Sequence, residues 1–397
     1  MNIIEMYLKY TEPHEAKTIF HLWSFLSVCA SILSGRCWST LGYGILKPNL
    51  FIILTGPPAS RKSAAIETAM EMIDPLLDND DLVLSSESIT FRGLTKELVA
   101  SNKSFTVGDE TVNYMNLFAS ASELTSFLDT NDKKLMNFML EAFDGKIRRH
   151  RHSTASCGSD EMRNISINLL AGTTKKFLQD HTFSDHVESG FASRLLFLME
   201  DQRRFNNPDP ELDFELKNQI IRKLFQLTTI TGYIPFLGKG KEEFVNWYKT
   251  QPLGIDKTVP SSMIPYAGRR QTYVRKLSLI MWCLEYIEDM SLERIVQARH
   301  VTQALKLIKG AEQHIRKAYD TSGRSPDILS INEIEAYFKE RENTFISKKQ
   351  IYEHFHKDVT PQVLDSILDN MVINLKVLKF GVLPGKGEGY KYVGKQE

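Results

Sequence analysis

The run Gly56-Pro57-Pro58-Ala59-Ser60-Arg61-Lys62-Ser63 has residue types and a spacing that suit polyphosphate chemistry. An early glycine permits a tight turn, and the backbone N–H groups that follow can face phosphate oxygens. Lys62 then supplies an ammonium for the β- and γ-phosphates, and Ser63 a hydroxyl for magnesium. The phosphate-loop pattern G-x-x-x-x-G-K-[ST] has glycine where Arg61 stands, a departure at one position. The ligands this run predicts are ATP and Mg2+, held by Gly56 through Ser63. The alternative is an ordinary strand-to-helix turn that happens to carry Lys-Ser.

Hydrolysis would also need a carboxylate at the end of a neighbouring strand, to orient water. Leu117-Phe118-Ala119-Ser120-Ala121-Ser122-Glu123 is an apolar run that ends in Glu123. Ser122 occupies the place of the usual magnesium-binding acid, which leaves Glu123 as the candidate for polarising water. A helix-capping role for Glu123 is the plainer alternative.

The densest basic run is Lys146-Ile147-Arg148-Arg149-His150-Arg151-His152. On a strand, Arg149 and Arg151 would share one face, and Arg148, His150 and His152 the other. Such a cationic hairpin suits nucleic-acid phosphates, and a solvated charged hairpin is the competing possibility. His-x-His without a nearby Cys, Asp or third His does not make a metal site.

The surrounding elements must position these groups. Leu50–Thr55 is short, apolar and β-branched, as expected of a central parallel strand, and Ser63–Ile73 has helical spacing. Further strands are expected at Met115–Ser120, Ile165–Ala171 and Leu195–Met199, with helices over 13–35 and about 132–143. The expected fold is α/β, a parallel sheet flanked by helices. An N-terminal helical segment spans 1–44, a phosphate-loop core 45–205 and a helical lid 206–320, with lid helices at Val274–Ile287 and Ile295–Ala318. A polar stretch, Asp320–Pro326, precedes a module over 327–397. That module reads as three short helices, at about 328–340, 348–356 and 361–374, followed by a glycine-tipped hairpin, the order of a winged helix. Lys386 at the hairpin tip is a candidate DNA contact, though binding to protein is as well supported.

Composition bounds the remaining choices. The chain has 397 residues, too many for one compact core, with 49 basic and 49 acidic side chains. Zero net charge excludes a uniformly basic nucleic-acid coat but allows a local basic patch. Four scattered cysteines without a Cys-x-x-Cys pair fit neither a disulfide framework nor a zinc ribbon, so a cytoplasmic protein is expected. Glu5 and Lys9 interrupt the first ten residues, so no secretory leader is expected. The apolar stretch Ile19–Leu33 is too short to span a bilayer.

The stretch from Leu135–Gly145 through Lys146–His152 to Asn164–Thr174 resembles the minichromosome-maintenance helicases. In that family a helix leads into a hairpin that enters the hexamer channel, and the next strand ends in a sensor 1 residue. The likeness implies that Thr173 or Thr174 replaces the sensor asparagine. Gly190-Phe191-Ala192-Ser193-Arg194-Leu195 is similar to the family's Ser-Arg-Phe element, which makes Arg194 an arginine finger. Arg269, Arg270 and Arg275 resemble the sensor 2 region. The chain also looks like phage and mobile-element P-loop proteins that are presumed replication helicases. These likenesses imply an AAA+ ATPase that assembles as a ring, hexameric in the first instance, and moves on single-stranded or forked DNA beside replication proteins. The competing expectations are a non-translocating DNA-binding initiator or helicase loader, and a protein-remodelling ATPase similar to the MoxR group.

Overall fold

The computed structural model describes residues 1–397 apart from 42–43, 80, 87, 128–131, 146–148, 155–157, 180–189, 253–262, 322–333, 342–343, 356–360, 374–376, 384–386 and 395–397. The chain divides into two compact units, Met1–Ser322 and Gly323–Glu397. In the first, one continuous apolar core runs from the amino-terminal helices through the sheet into the carboxy-terminal helices.

The chain begins with α1 (Ile3–Tyr10), whose cap is reciprocal: the Glu5 amide donates to Asn2 Oδ1 and the Asn2 amide to Glu5 Oε2, both at 3.0 Å. Then α2 (Thr18–Leu33) follows. It is shorter than the helix expected over 13–35, because Gly35 takes a left-handed φ of +80° just beyond its end. A Cβ on Gly35 would also lie 2.4 Å from Tyr114 Cδ2, so a larger residue does not fit there. Thirteen of the sixteen α2 residues are buried, which makes it a core helix. Among the described residues, no helix is long and apolar enough to cross a membrane.

The main sheet contains β1 (Phe51–Thr55), followed by helix α3 (Lys62–Met70), then β2 (Asn102–Val107) and β3 (Glu110–Ala121). Helix α4 (Lys133–Phe143), capped by Asp132, leads to the hairpin β4 (Arg149–Thr154) and β5 (Gly158–Arg163). After it come β6 (Ile165–Thr173) and β7 (Leu196–Met199). The five main strands lie in the order β2-β3-β6-β1-β7. Strands β3, β6, β1 and β7 are parallel, and β2 adds an antiparallel edge. Every residue of β1 and β6 is buried, as expected of strands covered on both faces, although β6 carries Ser166, Asn168 and Thr173 among its apolar residues.

Several boundaries differ from the sequence expectation. Strand β2 was not foreseen, because an edge strand that reads Asn-Lys-Ser-Phe-Thr-Val has little apolar signal. Residues 158–163 form β5, so the hairpin extends well beyond the basic run. The N-terminal segment is not purely helical, since Cys37–Leu41 pairs with Gly44–Leu46 and with Gly232–Tyr233. That pairing joins segments far apart in sequence, which local patterning cannot show.

Helices α5 (Phe214–Thr228), α6 (Ile264–Tyr286) and α7 (Ala298–Thr321) form most of the region after β7, with another helix at Gly238–Lys249. Helix α6 starts ten residues before the expected Val274, with Pro265 in its first turn. The second unit has its own core, including Ile334, Phe338, Ile351, Leu368 and Tyr390. Its helices Lys348–Phe355 and Pro361–Ile373 precede an antiparallel hairpin of Leu378–Leu383 with Gly387–Tyr392. Of the helix expected at 328–340, residues 334–339 are helical and 328–333 lie outside the described residues. A strand at Phe345–Ser347, absent from the expectation, completes a three-stranded sheet.

Candidate phosphate-binding site

The carboxyl ends of the parallel strands lie along one edge of the sheet, where open α/β folds place their ligands. Thr55 stands level with Thr173 and with Met199, and Ala121 with Ala171. The loop Gly56–Ser63 therefore leaves this edge from β1, between β6 and β7. Ser122 and Glu123 follow β3 on one side, and Glu200 follows β7 on the other.

The loop is built closely. A Cβ on Gly56 would lie 2.3 Å from the Glu200 carbonyl oxygen, so only glycine permits the turn. The Gly56 amide donates to the Thr173 carbonyl at 3.3 Å, which ties the loop to β6. Ala59 and Arg61 both adopt left-handed φ values, +64° and +65°. Arg61 thus takes the backbone conformation that glycine would supply in the usual pattern, at a cost of roughly 1–2 kcal/mol. Left-handed residues between right-handed ones turn successive amides towards a common point, the geometry of an anion-binding nest. The Arg61 side chain does not enter the loop. Its Nε donates to Glu15 of the amino-terminal segment, whose other oxygen accepts the Asn207 amide at 2.8 Å. The Asn207 amide foremost, and then Arg61 and Arg203, hold the Glu15 carboxyl below its ordinary range.

Lys62 opens α3 and is buried, with its Nζ donating to the carbonyls of Gly56 and Pro57 at 2.9 and 3.0 Å. Burial pushes its ammonium down, and the Glu123 carboxylate opposes that shift, which places the two groups in one electrostatic site. Ser63 is half-buried in the first turn of α3. The hydroxyls of Thr55 and Thr173 are fully buried at the strand ends, and neither has a hydrogen-bond partner. Orphaned hydroxyls at the strand ends beside this loop suit a phosphate or its attacking water. Among the described residues there is no cluster of three His, Cys, Asp or Glu side chains for a metal.

The arginines stand elsewhere. Arg194 is buried, its Nη2 2.7 Å from Asp144 Oδ2, its Nε 3.2 Å from Oδ1, and its Nη1 on the Gly190 carbonyl at 2.6 Å. Arg269 meets the same carboxylate at 3.1 Å. In this arrangement Arg194 is held by groups of its own chain. Glu188, an acid close to Arg194 in sequence, lies outside the described residues. The acid found is Asp144.

Arg270 binds Glu312 at 2.7 Å and Gln251 at 3.0 Å. Arg275 donates to the Thr40 carbonyl at 3.0 Å and packs over Phe236 and Phe244, with burial pushing it down to about 10. These contacts run to the small sheet and to α7 rather than to the loop, so the structure does not gather the expected sensor 2 residues at the site.

Arg149 and Arg151 lie on β4, where register sets Arg151 opposite Glu161 and His152 opposite Asp160. The same register sets Arg149 opposite Arg163. Arg148 and Lys386 lie outside the described residues. Sequence reasoning missed Glu15, Thr55 and Asp144. The Asp144-Gly145 turn before the basic run was the one local signal for the last of these. A larger cavity, of about 1200 Å3, is lined by α1, α2, α6 and α7 and by none of the eight loop residues. No protein-family model and no curated protein sequence matches this chain.

Proposed function

We propose that this chain is an AAA+-type P-loop ATPase that binds ATP with Mg2+ at Gly56–Ser63 and uses hydrolysis to act on DNA, as a helicase or translocase. The observation that carries the nucleotide assignment is the left-handed backbone at Ala59 and Arg61, beside buried Lys62, at the carboxyl edge of a parallel sheet. In this scheme the loop amides hold the phosphates and Lys62 exchanges its loop carbonyls for the β- and γ-phosphates. Glu123 orients the attacking water, and Thr173 and Thr55 accept or donate at its rim. Magnesium, bound by Ser63 and phosphate oxygens, would neutralise charge that builds up on the phosphates. The DNA assignment is supported by the basic run that leads into the β4–β5 hairpin. It is also supported by the second unit, whose order of helix, strand, two helices and hairpin suits a winged helix.

One observation favours a second candidate function, a non-translocating DNA-binding ATPase. Arg194 is held by Asp144 of its own chain, whereas a ring motor would offer it to the neighbouring subunit. The decisive experiment compares DNA-stimulated ATPase with unwinding of a forked duplex, in the wild type and in Lys62→Ala. Hydrolysis lost in Lys62→Ala supports the site, and unwinding separates motor from non-translocating ATPase. Wild-type turnover in Lys62→Ala would overturn the assignment.

A further inference from the structure

Lys47, Lys276 and Arg269 meet at a cavity of about 200 Å3 that Asp144, Thr272 and Phe143 also line, and to which none of the loop residues contributes. Lys276 Nζ is wholly buried and faces the carbonyls of Lys47, Asn49 and Phe143 as well as the Asn49 side chain. Lys47 Nζ donates to the carbonyls of Asn164 and Ile165 at 2.6 and 2.8 Å, which uses two of its three N–H groups. Among the described residues lining the cavity, Asp144 is the one carboxylate, and it is already shared by Arg194 and Arg269. With both lysines protonated, Lys47, Lys276 and Arg269, together with Arg194 on the same carboxylate, outnumber the one acid, so an anion seated in this site largely removed from water supplies the missing counter-charge. The cavity is smaller than the roughly 300–1,000 Å3 of sites for drug-sized molecules, so its ligand is the size of a single oxyanion group.

We infer that this cavity binds a phosphate group, through Arg269, Lys47 and the Thr272 hydroxyl. It lies at the root of the β4–β5 hairpin, since Asp144 precedes that hairpin and the acceptors of Lys47 follow it. The phosphate is therefore either a free ion or the diester of a nucleic-acid strand lying along the hairpin. Burial pushes Lys47 down to about 7 and Lys276 well below its ordinary value, with Lys47 and Arg269 adding to the latter shift and Asp144 opposing it. An anion seated among these groups raises both lysines, so binding at pH 8 takes up a proton. This assignment does not depend on the nucleotide loop.

The test titrates inorganic phosphate calorimetrically at pH 8 into the full chain carrying Lys62→Ala, which disables the loop, in two buffers of different ionisation enthalpy. Saturable binding with proton uptake is expected. Adding Arg269→Gln should weaken it about tenfold and adding Thr272→Val, which keeps the side-chain shape, about fivefold. A thymidine oligonucleotide that displaces the phosphate identifies the diester as the natural ligand, and failure to displace it identifies the free ion. Absence of saturable binding, of proton uptake, or of any effect from the two added substitutions would overturn the assignment.

Discussion

Arg194 and Asp144, fifty positions apart in the chain, form a two-bond ion pair with both side chains 9% exposed. The pair joins the turn before β7 to the end of α4, and Arg269 of α6 closes on the same carboxylate. Removing one partner of a buried pair costs about 3–5 kcal/mol, and the remaining Arg269 places this case at the lower end. Arg194→Ala should therefore lower Tm by several degrees, read by calorimetry. Mixed with Lys62→Ala, it should recover no ATPase activity. Recovery in the mixture, with an unchanged Tm in Arg194→Ala alone, would instead establish action across a subunit boundary.

Arg61 offers a test of the loop backbone. Arg61→Gly removes the left-handed strain and also the half-exposed contact with Glu15, which contributes at most about 1 kcal/mol. Stability should stay within about 1 kcal/mol of the wild type, with nucleotide affinity retained. Arg61→Val puts a β-branched side chain at φ +65° and should unfold at lower urea than Arg61→Gly, by about 1–2 kcal/mol. Equal midpoints for the two variants would mean that the loop relaxes out of this conformation.

Glu123→Gln keeps the size of the side chain and removes its charge. Bound ATP should persist while turnover drops by about 100-fold or more, because the group lost orients water in the reaction rather than holding the substrate. Equilibrium binding and single-turnover hydrolysis separate the two. A weakened affinity with unchanged turnover would assign Glu123 to binding instead.

Acid should weaken the fold through His21. Burial pushes this imidazole down to about 3, and neither ring nitrogen has a partner. Burial also lowers His14, whose ring lies 5.4 Å away. Since the folded value lies below the unfolded one, the unfolded chain takes up a proton first as pH falls. Stability is then lost below about pH 6.5, by about 1.4 kcal/mol per pH unit for His21 alone, down to about pH 3. Urea unfolding at pH 7.5 and pH 5.5 measures this, and His21→Phe should show a smaller loss than the wild type. Parallel losses in the two proteins would exonerate His21.

What the sequence determined by itself is the set of features that are local. Phe51–Thr55, Ile165–Thr173 and Leu196–Met199 are legible because strands buried on both faces are dominated by apolar residues, which outnumber Ser166, Asn168 and Thr173 even in the second. Gly56, Lys62 and Ser63 are legible because phosphate chemistry constrains residue type at fixed spacing, and the adjoining strand and helix supply its context. The edge strand Asn102–Val107 was not, since its residues carry no apolar period and its place comes from pairing with Glu110–Ala121. Arg61 shows the limit within the loop itself: its type argues against a glycine conformation, yet the turn imposes one and Glu15 takes its side chain. Tertiary structure alone decided the partners of the arginines. Arg194 with Asp144, Arg270 with Glu312 and Arg275 with Thr40 are contacts between segments that meet only when the sheet and helices close on one core. A charged side chain reaches whatever acid or carbonyl packing brings within a few ångströms, and sequence spacing carries no record of that distance.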